Sequence, residues 1–87
     1  MTAAVPDIVI YSTPICPDCH ALKAWLASRG LAYIEKDMSD PAIMAEAKAR
    51  TGVRVAPITL IGDQVIYGTF ASQKPQIVEA LGFAQAL

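Results

Sequence analysis

The sequence lacks what a nucleic-acid or membrane partner would require. It has no run of Lys or Arg, and its formal charge of −1 leaves no basic footprint for a polyanion or an anionic lipid surface. Long apolar runs are also missing. The stretch 53–61 is broken by Arg54 and Pro57 and falls well short of the roughly 20 residues that span a bilayer. There are no repeats, low-complexity tracts or Gly/Ser linkers, so the 87 residues are expected to form one domain, 1–87. Residues 1–10 carry Asp7 and no basic region, so no secretion signal is expected and the expected compartment is the cytoplasm. In that reducing compartment the only two cysteines, Cys16 and Cys19, are not expected to form a structural staple, which leaves reactivity or metal binding.

What the chain does have is apolar content, 54% of its residues, arranged in short periodic segments. Residues 8–11, Ile-Val-Ile-Tyr, form a continuous β-branched run suited to a strand buried on both faces, and Ser12-Thr13-Pro14 breaks it. From Pro17 to about Ser28, Cys19, Leu22 and Leu26 recur at helical spacing with Trp25 beside them, and Arg29-Gly30 supplies a stop. Residues 32–36 read as a second strand. Asp40-Pro41 caps a second helix that runs to about Thr51 and ends at Gly52. After a loop at 53–56, Pro57 opens residues 58–61, and Gly62-Asp63 turns the chain into residues 64–67, an antiparallel hairpin. Residues 72–81 close the chain as a third helix with Ile77, Val78 and Leu81 on one face and Gly82 just past its end. Strand–helix–strand units require parallel pairing and the hairpin adds antiparallel strands, so a mixed sheet covered by helices is expected.

Cys16-Pro17-Asp18-Cys19 sits where the first strand's exit loop becomes a helix. The first turn of a helix presents unpaired N–H groups and a positive dipole end, which stabilise a thiolate at Cys16. Pro17 costs nothing at the first helical position because its missing N–H has no intrahelical acceptor there. Cys19, one turn on, is expected to be the more buried of the two. This asymmetry assigns Cys16 as nucleophile and Cys19 as the thiol that resolves a mixed disulfide. Asp18 brings a negative charge between them, which opposes part of the thiolate stabilisation and makes the pair a better reductant.

The same residues match other patterns. Cys16 to His20 fits C-x-x-C-H, the c-type haem attachment pattern, but that chemistry needs export and room for a porphyrin, and His20 reads more simply as a partly exposed helix residue. A zinc site needs four ligands, and two cysteines with one nearby histidine fall short, so no metal site is expected within one chain. An iron–sulfur cluster shared across a dimer is the alternative this cysteine pair leaves open. Trp25 is expected to pack on the first helix, Met44 to fill the core beside the second, and Arg54 to be a solvated loop cation.

Residues 11–19, Tyr-Ser-Thr-Pro-Ile-Cys-Pro-Asp-Cys, together with Val55-Ala56-Pro57 and the Gly62 hairpin, resemble the glutaredoxin family over nearly the whole chain. The resemblance implies a thioredoxin fold: an α/β architecture with a four-stranded mixed sheet flanked by three helices. It also implies a cis Pro57 packed beside the dithiol, with the Ala56 backbone pairing to an extended substrate segment. On the same resemblance, Val55, Ala56 and Pro57 line one side of a docked substrate, with Thr13 and Pro17 near the nucleophile and Thr69 and Phe70 completing the surface. Within the family, Cys19-His20-Ala21-Leu22-Lys23 and Arg29-Gly30 look most like the small redoxins that deliver electrons to ribonucleotide reductase and are recharged by thioredoxin reductase.

Departures from the glutathione-using members bear on the electron donor. Thr13 stands where those members usually carry a Lys, Asp18 stands where they often carry a Tyr, and residues 68–72 contain no acid to hold the tripeptide's amino group. Phe70 corresponds to the aromatic residue of a Trp-Ser-Gly-Phe stretch in the reductase-associated redoxins, with Tyr67 near the Trp position. The expected function is therefore dithiol reduction of protein disulfides such as that of ribonucleotide reductase. Thioredoxin reductase is the expected donor, with glutathione as the alternative. A monomer without bound cofactor, nucleic acid or membrane partner is expected.

Overall fold

The computed structural model describes residues 7–81, organised as β1 (Ile8–Ser12), α1 (Pro17–Ser28), β2 (Ile34–Asp37), α2 (Pro41–Thr51), β3 (Ile58–Ile61), β4 (Gln64–Tyr67) and α3 (Phe70–Leu81). The sheet has four strands in the order β2-β1-β3-β4. β1 pairs parallel with β2, Val9 opposite Ile34, and antiparallel with β3, Tyr11 opposite Ile58; β3 and β4 form the hairpin, Leu60 opposite Val65. This is the mixed sheet that the pattern of elements implies, in the thioredoxin-like arrangement that the resemblance implies.

Alternation along the strands explains why two cores form. Ile8 and Ile10 of β1 join Leu22 and Leu26 of α1, Ile77 of α3, Ile61 and Ile66 on one face. Val9 and Tyr11 join Met38, Ala47, Ile58 and Leu60 on the other, where α2 lies. β1 is buried along its whole length, which is why it reads as an unbroken apolar run rather than an alternating one. Burying one Leu of this kind is worth about 1.5–3 kcal/mol, so Leu22 and Leu26, both at 0% exposure, anchor α1 firmly to the sheet.

The helix ends follow the sequence signals. Asp40 caps α2 by accepting from the Ala42 N–H at 2.9 Å, and Gly52, at φ 74°, terminates it with its N–H bonded to the Lys48 carbonyl at 2.8 Å. Two boundaries differ from expectation. β2 begins at Ile34 rather than residue 32; it is a largely exposed edge strand, so burial does not sharpen its start. α3 begins at Phe70 rather than residue 72, because the Thr69 hydroxyl accepts from the Ser72 N–H at 3.1 Å and acts as the cap. Leu81 packs at the margin of the first core, and Gly82 lies outside the described residues. Trp25 packs against the same core, while Met44 borders the second, half-buried.

Candidate active site

Sheet topology gathers the site at one end. β1 runs into the loop that carries Thr13 and Cys16. β3 is antiparallel to it with Ile58 opposite Tyr11, so Pro57 enters the sheet at that same end. β4 leaves there too, Tyr67 lying opposite Ile58, and delivers Thr69 and Phe70 to the start of α3. All the residues expected around the dithiol therefore share one rim. A cleft of about 380 Å³ lies at the other end, between Asp7–Ile8 and residues 30–34, and holds neither cysteine. Cleft volume does not mark this site, since docking an extended segment calls for an exposed rim rather than a cavity.

Cys16 occupies the N-cap of α1 with extended backbone, φ −101° and ψ 108°, and Pro17 follows in the first turn. The Cys19 N–H donates to Cys16 Sγ at 3.1 Å, so the sulfur takes the place that a Ser or Asp oxygen takes in an ordinary cap. Cys16 is half-buried, whereas Cys19 is at 0% exposure. Burial pushes the Cys19 thiol up to about 12, helped by its hydrogen bond with Cys16 and opposed by the Thr13 backbone and the Lys23 ammonium. One sulfur is thus accessible and bonded by a backbone donor, and the other is held protonated beneath it.

Asp18 turns out to be a brace. Its Oδ1 accepts from the Phe70 N–H at 3.1 Å, joining the first turn of α1 to the first turn of α3. Phe70 is half-buried with its ring centroid 6.0 Å from that of Trp25 at a 58° tilt, and the Lys74 ammonium lies 5.7 Å from the Trp25 ring centroid. His20 is exposed, its Nε2 within 3.0 Å of the Pro14 carbonyl, a contact that ties the helix back to the loop.

Ala56–Pro57 is a cis peptide bond, as the resemblance implies. Pro57 is buried, Ala56 half-buried and Val55 54% exposed; Arg54 is exposed in the same loop. One residue that sequence reasoning did not single out organises this region. Gln73, at 0% exposure on α3, donates through Nε2 to the Pro57 carbonyl at 2.8 Å and the Gly68 carbonyl at 2.9 Å, while its Oε1 accepts from Thr59 Oγ1 at 2.6 Å. It fastens the cis-proline segment and the exit of β4 to α3. Its signal was a polar side chain on the helix face that also carries Ile77. Ile15, next to the nucleophile, is 89% exposed, an apolar contact available to a partner.

A family model for glutaredoxin matches residues 8–66, from β1 through the dithiol and the cis proline to β4. The chain belongs to the glutaredoxin family. No curated protein sequence matches it closely. Among solved structures, the glutaredoxin of Brucella melitensis is 31% identical, with 98% of this chain and 90% of that chain covered at a TM-score of 0.65. The glutaredoxin-like NrdH-redoxin of Escherichia coli, described as having a thioredoxin-like activity profile, is 28% identical over 86% of this chain and 93% of its own, TM-score 0.67. A thioredoxin-like protein is 26% identical over 83% of this chain and 99% of its own, TM-score 0.74. As a glutaredoxin, the protein is a thiol–disulfide oxidoreductase, a class that acts on disulfides with the help of a reductant. Among the described residues no helix is long and apolar enough to cross a membrane, and no group of three or more His, Cys, Asp or Glu is placed to hold a metal ion.

Proposed function

We propose that this glutaredoxin is a dithiol reductase of protein disulfides, of the kind that reduces ribonucleotide reductase, and that thioredoxin reductase recharges it in the cytoplasm. Cys16 Sγ attacks a sulfur of the partner's disulfide, forming a mixed disulfide and releasing the partner's other sulfur as a thiolate. Cys19 then attacks Cys16, forming the Cys16–Cys19 bond and freeing the partner's second thiol. Two electrons pass to the partner, and the reductase supplies two more to the pair, cleaving the Cys16–Cys19 disulfide to two thiols.

The observation that carries this reading is the asymmetric pair itself: an accessible Cys16 sulfur taking the Cys19 N–H at 3.1 Å over a buried Cys19. Docking is read from Thr13, Pro17, Val55 and Ala56 beside the nucleophile, with Thr69 and Phe70 across the rim. A protein partner is supported by apolar exposure at Ile15 and Val55. Thioredoxin reductase rather than glutathione is supported by Thr13 in place of a Lys. It is supported also by Asp18, whose carboxylate is committed to the Phe70 N–H instead of being free for a ligand's ammonium. The likeness to an NrdH-redoxin with a thioredoxin-like profile agrees with that choice.

The test is reduction of the oxidised protein, followed by Trp25 fluorescence, with NADPH and thioredoxin reductase in one cuvette and glutathione with its reductase in the other. Turnover with thioredoxin reductase alone is expected. Turnover with glutathione alone would make the missing charged contacts irrelevant and reverse the donor assignment.

A further inference from the structure

The dithiol mechanism leaves one step without support: Cys19 must act as a thiolate while lying at 0% exposure, where burial opposes its charge. Lys23 is four residues further along α1, on the helix face that carries Cys19. Its side chain is only 19% exposed, and its Nζ is bonded to Glu35 Oε2 of β2 at 2.6 Å. The same carboxylate oxygen accepts from Ser12 Oγ at 2.7 Å, and Ser12 is the last residue of β1, buried at 1% exposure just before Thr13. Two elements besides its own helix therefore fix where this ammonium sits.

Resting on the dithiol reading above, we propose that Lys23 is a positioning residue of the second half-reaction: held by Glu35 and Ser12, its ammonium offsets the negative charge that develops on Cys19 as it attacks the mixed disulfide. In that step Cys19 loses its proton to solvent and its sulfur attacks Cys16 Sγ. The Cys16–Cys19 bond forms while the bond from Cys16 to the partner breaks, and the departing thiolate takes up a proton.

The electrostatic balance at that moment favours the assignment. In the reduced protein the Cys16 sulfur adds to the upward push on Cys19, but in the mixed disulfide Cys16 carries no charge. What then faces Cys19 is burial on one side and, on the other, the Thr13 backbone and Lys23. Lys23 in turn is faced by Glu35 and Asp37 of β2, by Tyr33 at the entry to β2 and by Cys19. The Glu35 bond keeps the lysine protonated, so it serves as a fixed cation and not as a proton acceptor.

The experiment uses dithiobis(nitrobenzoate), which releases one thionitrobenzoate when Cys16 attacks and a second when Cys19 resolves the mixed disulfide. Both phases are followed by stopped flow across pH in wild type, Lys23→Met, Lys23→Arg and Cys19→Ser. Lys23→Met is expected to leave the first phase unchanged and to slow the second about fivefold near neutral pH, as for loss of a partly screened unit charge. The second phase's rise with pH should move to higher pH, and Lys23→Arg should restore it. If Lys23→Met matches wild type in rate and pH profile while Cys19→Ser lacks the second phase, the role of Lys23 is overturned and the dithiol reading stands. If wild type and Cys19→Ser behave alike, the dithiol reading itself fails.

Discussion

The side-chain amide of Gln73 donates to the carbonyl of Pro57 at 2.8 Å from a position without solvent exposure. Through this bond and its partners at Gly68 and Thr59, α3 holds the cis-proline segment, the proposed docking edge for substrate. Gln73→Leu keeps the volume but leaves two carbonyls and a hydroxyl without their partner. A loss of about 2–4 kcal/mol in urea denaturation is expected, together with slower reduction of protein disulfides. A loss below about 0.5 kcal/mol would show that these groups find other partners.

Asp18 separates two effects that one substitution each can resolve. Asp18→Asn keeps an oxygen for the Phe70 N–H but removes the charge beside the cysteines, so stability should hold within about 0.5 kcal/mol. The thiol–disulfide equilibrium should meanwhile shift several-fold toward the dithiol, making a weaker reductant. Asp18→Ala also removes the bond and should cost about 1 kcal/mol. Equilibration against dithiothreitol reads the first effect and denaturation the second; an unmoved equilibrium in Asp18→Asn would remove the charge from the account of reducing power.

Stability should fall off on both sides of a plateau. The Lys23 hydrogen bond and then Ser12 hold Glu35 below the ordinary carboxylate range; Lys36 and then Tyr11 do the same for Glu46. Carboxylates depressed in the folded state stabilise above about pH 4.3 and lose that contribution as pH falls through their lower folded values. Both are solvent-accessible, so added salt should shrink this acid limb and Glu35→Gln should flatten it. On the alkaline side, burial raises Cys19, and burial followed by the Glu46 bond raises Tyr11. Groups raised in this way stabilise below their unfolded values, about 8.5 and 10, and lose the contribution as pH rises through the folded ones. The oxidised protein, without a Cys19 thiol, should therefore keep its stability further above pH 8.5 than the reduced protein. Identical alkaline limbs in thermal melts would contradict the burial of Cys19.

Ile15 tests the docking surface apart from the chemistry. Ile15→Asp should lower kcat/KM for insulin disulfides by about tenfold, the scale of a moderate interface contact, and leave the rate with hydroxyethyl disulfide unchanged. Equal losses on both substrates would place its effect on Cys16 reactivity instead.

Most of the scaffold was legible because its signals are local. β1 is continuously apolar, Asp40-Pro41 and Gly52 bracket α2, and Gly62-Asp63 turns the hairpin. The cysteines were legible for the same reason, sitting at a strand-to-helix junction. What stayed hidden depends on pairs distant in the chain. Asp18 meets Phe70 across 52 positions and Gln73 meets Pro57 across 16, so neither contact leaves a local mark. Lys23 and Glu35, 12 positions apart, sit on a helix and a strand, and their pairing depends on how the sheet brings these together. The early start of α3 was missed because Phe70 and Ala71 carry no capping signal of their own; it comes from Thr69.

The central claim is that Cys16 attacks and Cys19 resolves, and the most direct measurement is trapping with Cys19→Ser. Incubated with an oxidised protein substrate such as insulin, this variant should accumulate a mixed disulfide through Cys16, seen by intact mass and abolished by dithiothreitol, while Cys16→Ser forms none. A trapped species in Cys16→Ser and none in Cys19→Ser would contradict the assignment.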